Sequence, residues 1–145
     1  MEKWKKYIIE GNQFFKKKDF DLAILSYQSS KEQIKKIFDD WSNPEEAIAA
    51  ILASYHNISE LYLQRGQKHL SFIELQKARK FLMQKTVNLE LNSRRWMVIQ
   101  KGINKNEMQI LSFMKEHQVN SINPTTTLLL ESNSPALSTA TFRGK

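Results

Sequence analysis

Apolar residues return along this chain in alternating steps of three and four. Trp4, Tyr7, Ile8, Gly11, Phe14 and Phe15 form one such stripe, which predicts a first helix over about 4–17. Its basic end Lys16-Lys17-Lys18 suits a helix C-terminus, and Asp19 then stands where an N-cap belongs. The second stripe holds Phe20, Ala23, Ile24, Tyr27, Ile34, Phe38 and Trp41, interrupted at Lys31, and predicts a helix from 19 to about 40. Ser42-Asn43-Pro44-Glu45-Glu46 is a restart signal: a cap residue, a proline at the first helical position and acids in the first turn. Ile48, Ile51, Leu52, Tyr55, Ile58, Ser59 and Tyr62 carry a third helix over about 44–65, with Gly66 as its C-cap glycine. Phe72, Leu75, Ala78, Phe81 and Leu82 give a fourth over about 68–84. Leu91, Trp96, Val98 and Ile99 suggest a fifth over about 89–101 that stops at Gly102, and Asn104 or Asn106 is expected to cap a sixth through Met108, Leu111 and Met114. The expected class is all-α.

One spacing occurs twice. Phe14, Ala23 and Tyr27 follow Gly11 at +3, +12 and +16, and Tyr62, Ser71 and Leu75 follow Ser59 at the same offsets. Small side chains permit two helices to cross closely, and the larger ones fill the space beside the crossing. This pattern resembles the tetratricopeptide repeat, whose period is about 34 residues. The resemblance implies antiparallel hairpins stacked as a short superhelix. Gly11 and Ser59 lie 48 residues apart, so roughly a dozen residues are inserted between the copies, and the uninterrupted stripes assign them to longer helices. Counting back seven from Gly102, as Ser59 lies seven before Gly66, gives Arg95 at the small position; the third pair therefore reads as a degenerate, end-capping one.

The organisation expected is a helical domain over 1–119 and a Ser/Thr/Asn-rich tail over 120–145, disordered or docked in extended form through Leu128-Leu129-Leu130. Composition narrows the chemistry. The 145 residues contain no Cys and three His, His56, His69 and His117, too scattered to suggest a zinc site, so no metal or cofactor is expected. There is no Gly-rich phosphate loop, no Gly-x-Ser-x-Gly turn and no metal-binding helix motif. His56 and His69 are expected to cap or line surfaces. The paired acids Asp39-Asp40 and Glu45-Glu46 are neighbours that do not face each other on a helix, which suits them to helix ends and not to acid/base work. No apolar run approaches membrane-spanning length and no apolar leader is present, so the expectation is a cytoplasmic, non-enzymatic protein with no membrane insertion.

What tetratricopeptide folds usually hold is a peptide, in the groove lined by the first helix of each pair. The first copy is similar to GN-x-x-F-K-x-x-D-[YF]-x-x-A-I-x-x-Y, met in adaptors that clamp the terminal carboxylate of chaperone tails, through Gly11, Asn12, Phe15 or Phe14, Lys16, Asp19, Phe20, Ala23, Ile24 and Tyr27. By that resemblance Asn12, Asn57 and Arg94 match clamp positions and, with Tyr55, are candidate groove residues. The lysines the clamp needs four residues before Asn12 and before Arg94 are Ile8 and Glu90 here, which removes two of the charge-assisted bonds such a site depends on. The set of repeats is also similar to small bacterial tetratricopeptide-like proteins, which implies a fold and no activity. A protein or peptide partner is the leading expectation. The net charge of +7 keeps nucleic acid as an alternative, with Lys3, Lys5, Lys6, Lys16, Lys17, Lys18, Lys77, Arg79, Lys80, Lys85, Arg94 and Arg95 as a phosphate-facing stripe. A third possibility is self-association into a homodimer through exposed Trp4 or Trp41 and the apolar tail segment.

Overall fold

The computed structural model describes residues 3–117. The expected tail over 120–145, including Leu128 to Leu130, lies outside them. Within the described residues there are five helices and no strand: α1 (Lys3–Lys16), α2 (Phe20–Ile37), α3 (Pro44–Gln64), α4 (Lys68–Gln84) and α5 (Arg94–His117). Close packing joins α1 to α2, α2 to α3, α3 to α4, and α5 to both α3 and α4, a stack of antiparallel hairpins closed by one long helix.

The two hairpin turns match residue for residue. At the end of α1 the Asp19 N–H reaches the Phe14 carbonyl at 2.9 Å and the Lys18 N–H the Phe15 carbonyl at 2.9 Å. At the end of α3 the Gln67 N–H reaches Tyr62 at 2.8 Å and the Gly66 N–H reaches Leu63 at 3.0 Å. Both follow the Schellman pattern, in which one left-handed residue lets the last carbonyls of a helix find donors. That residue is Gly66 (φ 76°) in one turn and Lys18 (φ 62°) in the other, spaced like Gly11 and Ser59. Asp19 occupies the cap position but its side chain makes no capping bond, because the turn itself supplies the geometry. Asn43, by contrast, caps α3 as expected, its side chain accepting from the Glu46 N–H at 3.1 Å.

The crossings use the small residues differently. Gly11 is buried beneath the Tyr27 ring, and a Cβ there would sit 2.6 Å from two ring carbons. Ser59 and Ser71 instead touch through their hydroxyls at 2.7 Å, and Ser59 also donates to the Ser71 carbonyl at 3.0 Å. Phe14 and Tyr62 sit half-buried beside these crossings, with Ala23 and Leu75 inside.

The main core lies between the extended halves of the middle helices, where Ile34, Phe38, Ile51, Tyr55, Phe81 and Leu82 pack together. Regular α2 ends at Ile37 and not near 40, because residues 38–41 tighten into turns with Asp40 and Trp41 N–H bonded to Ile37 and Phe38 carbonyls. Trp41 is not an exposed dimer contact: it is buried, donates its indole N–H to Glu46 at 3.0 Å, and lies 5.5 Å from the half-buried Trp4 ring.

The expected fifth and sixth helices are one. Gly102 is not a stop, since the buried stripe Ile99, Ile103, Asn106, Ile110, Phe113 and Met114 continues across it in steps of three and four. It is a point of tight packing against α3, where a Cβ would lie 2.7 Å from Ile48 Cγ2. The small residue of the last element is therefore Gly102 and not position Arg95. Met108 remains 65% exposed on the outer side of α5, where no described helix covers it.

Candidate functional site

Helix α5 lies alongside α3, and the valley between them is a cavity of about 500 Å³. Helix α3 lines it with Glu45, Ile48, Leu52 and His56, and α5 with Arg94, Met97, Lys101 and Lys105; Glu45 meets Arg94 at one end, Gly102 lies against Ile48, and His56 meets Asn106 further along. Small and apolar side chains make the floor because only these allow the close approach at Gly102. The rim is basic. Arg94 is held by Glu45, its Nη2 donating to both carboxylate oxygens at 2.7 Å. Lys101 and Lys105 are exposed and carry no ion pair among the described residues.

His56 stands at the end of this valley and also lines the smaller cavity that continues it toward Leu63 and Glu116. Its chemistry is set by Asn106, which is fully buried. The Asn106 Nδ2 donates to the Leu75 carbonyl at 3.1 Å, and its Oδ1 therefore faces His56 Nε2 at 3.0 Å. A carbonyl can only accept, so Nε2 carries the hydrogen and Nδ1 is left as an acceptor. Burial holds His56 below the usual histidine value; Lys105 pushes the same way, and the Asn106 bond opposes both. At neutral pH the ring is uncharged.

The four candidate groove residues are not gathered in one place. Arg94 lines the α3–α5 valley. Tyr55, one residue before His56, belongs to the opposite side of α3, buried against Phe81 with the Lys31 ammonium 4.7 Å over its ring. Asn12 accepts from the Tyr27 hydroxyl at 2.6 Å and so braces the α1–α2 crossing. Asn57 is half-buried on α3 and, like Asn12, is not among the residues lining the valley.

A match over nearly the whole length then places the sequence among relatives: residues 2–141 fit the family described as "Protein of unknown function (DUF2753)". The chain belongs to the DUF2753 family. No curated protein and no solved structure matches it. In this DUF2753 chain, several basic residues of the expected stripe are engaged internally. Arg79 is buried with its Nε 3.4 Å from Glu107, and Lys85 pairs with Asp39 at 3.1 Å. Arg95 donates to the Phe38 and Trp41 carbonyls at 2.7 and 3.2 Å, closing the C-terminal end of α2 from α5.

Sequence reasoning missed Lys101 and Lys105, which carried no motif, and it took Lys31 for an interruption. Lys31 is instead buried and bonded to the buried Glu74 at 2.8 Å. A signal existed: each lies on the apolar stripe of its own helix, one cationic and one anionic. The described residues hold no group of three or more metal-binding side chains, and no described helix is long and apolar enough to cross a membrane.

Proposed function

We propose that this DUF2753 chain is a tetratricopeptide-like, non-enzymatic binding module that holds a segment of a partner protein in the α3–α5 valley. The repeat reading rests on the two matched hairpin turns and the shared offsets around Gly11 and Ser59. One observation carries the binding reading: an apolar-floored cavity of about 500 Å³ whose rim offers two exposed lysines, Lys101 and Lys105, with no ion pair among the described residues. That chemistry fits a short acidic segment with apolar side chains, its Asp or Glu residues meeting the lysines and its apolar residues covering Ile48, Leu52 and Met97. Arg94 orients the entrance, with its charge damped by Glu45. Asn12 and Asn57 remain outside this contact, so the terminal-carboxylate clamp suggested by sequence is not part of the reading.

The test is selection of random displayed peptides on the immobilised chain, followed by anisotropy measurements on the winners. They should combine acidic and apolar residues, weaken with salt, and lose about tenfold or more in affinity to Lys101→Glu/Lys105→Glu, whose helical content should be unchanged. Winners without acids, or ones indifferent to the charge reversal, would reject the valley as the site.

A further inference from the structure

A second cleft lies on the other side of α3, between α2 and α4, with a volume of about 300 Å³, at the small end of the range for ligand sites. Lys31 and Lys35 approach it from α2, Lys77 and Lys80 from α4, and Tyr55 forms its floor from α3. Lysines three or four apart leave a helix from points about 5–6 Å from each other. The cleft thus has a pair of cations on each wall. Among the described residues, these four ammonium groups have two carboxylates within ion-pair distance, Glu32 in the lining and Glu74 beside Lys31. Glu74 is committed to Lys31 at 2.8 Å and lies 3.9 Å from Lys77, and Glu32 is a distant 4.0 Å from Lys35. Lys80 has no ion pair among the described residues.

Lysines alone on a surface would say little. Tyr55 adds an independent observation. It is only 4% exposed, its hydroxyl has no hydrogen-bond partner among the described residues, and yet that oxygen is not one of the atoms sealed from solvent. The hydroxyl oxygen thus keeps some accessible surface, and Tyr55 is among the residues that line this cleft. Burial, with Glu74 and Glu32 adding to it, raises the phenol well above its ordinary value, so it keeps its proton and stands as a donor. A hydroxyl that opens onto a cleft lined by surplus cations is placed to donate to an anion those cations hold.

We infer that the α2–α4 cleft is an anion site that takes adjacent phosphate groups of a small oligophosphate molecule, with the Tyr55 hydroxyl donating to one phosphate oxygen and Lys35, Lys77 and Lys80 neutralising the rest. The volume suits a few phosphates and excludes a folded partner. Cations on both walls, Lys35 from α2 and Lys77 and Lys80 from α4, suit charges spread along a short chain better than a single carboxylate.

Tripolyphosphate is the probe, titrated calorimetrically into the full chain at low and moderate salt. Saturable binding at one site is expected, weakened about tenfold by Tyr55→Phe, which keeps the ring and its packing, and more strongly by Lys77→Gln/Lys80→Gln. Replacing Lys16, Lys17 and Lys18 together by Gln, in the turn region after α1, should leave it unchanged. Equal loss in that control would reduce the effect to net charge and overturn the site. Absence of saturation, or full retention of affinity in Tyr55→Phe, would overturn it as well. A single-stranded oligonucleotide is the competing arm: if it binds more tightly than tripolyphosphate and displaces it, the ligand is nucleic acid and the assignment to a small molecule fails.

Discussion

His56 shows how one side chain is tuned from three elements. Helix α3 carries it, α5 supplies Asn106, and the Leu75 carbonyl of α4 fixes which way that amide faces. Because burial keeps the folded-state value below the unfolded one of about 6.5, the unfolded chain binds a proton first as pH drops. The contribution of neutral His56 is fully present above about 6.5 and is lost as pH falls from there toward the lowered folded value. Glu107, raised by burial against Arg79, acts in the opposite sense at lower pH, so a raw acid profile mixes the two. Subtraction isolates the histidine: urea unfolding of the wild type should lose more stability between neutral and mildly acidic pH than unfolding of His56→Gln. Parallel profiles would mean that the ring is not held neutral by its surroundings.

At the scale of single helices, hydrophobic periodicity is a sufficient guide wherever each turn of the stripe meets a neighbour. Helices α1 to α4 were legible for that reason, as was the Asn43–Pro44 restart, whose chemistry is local. The end of the chain was harder to read because glycine has two uses. Gly66 takes a left-handed φ and ends α3, while Gly102 stays helical and admits Ile48; composition cannot tell these apart, but an apolar stripe continuing past the glycine can. The turn after α1 makes the complementary point, since Lys18 adopts the left-handed conformation that Gly66 adopts in the matched turn. A left-handed conformation costs a non-glycine residue roughly 1–2 kcal/mol, and glycine's larger unfolded-state freedom returns part of that. Lys18→Gly should therefore raise the unfolding free energy by about 0.5–1 kcal/mol in chemical denaturation. A decrease would show that the Lys18 side chain contributes more at this turn than its backbone strain costs.

Across the whole molecule, the site was less legible than the fold, because cavities form between helices distant in sequence. Arg94 was found through a motif, whereas Lys101 and Lys105 gain meaning only once α5 lies beside α3. The same holds for Lys31 and Glu74, which tie α2 of the first hairpin to α4 of the second past the Tyr55 ring. Their side chains are 8% and 3% exposed, so each ion has surrendered most of its hydration to the other. Removing one partner from such a pair typically costs about 3–5 kcal/mol, while replacing both with apolar groups of similar size costs far less. The two single losses should differ here. Lys31→Met leaves Glu74 with Lys77 at 3.9 Å, whereas Glu74→Leu leaves a buried ammonium over the Tyr55 ring at 4.7 Å with no other ion-pair partner among the described residues. Glu74→Leu is therefore expected to be the more damaging. Lys31→Met/Glu74→Leu should unfold at a higher denaturant concentration than Glu74→Leu alone, with a coupling of about 1–3 kcal/mol in the double-mutant cycle. Strict additivity would mean that this ion pair adds no preference for the mutual arrangement of the hairpins.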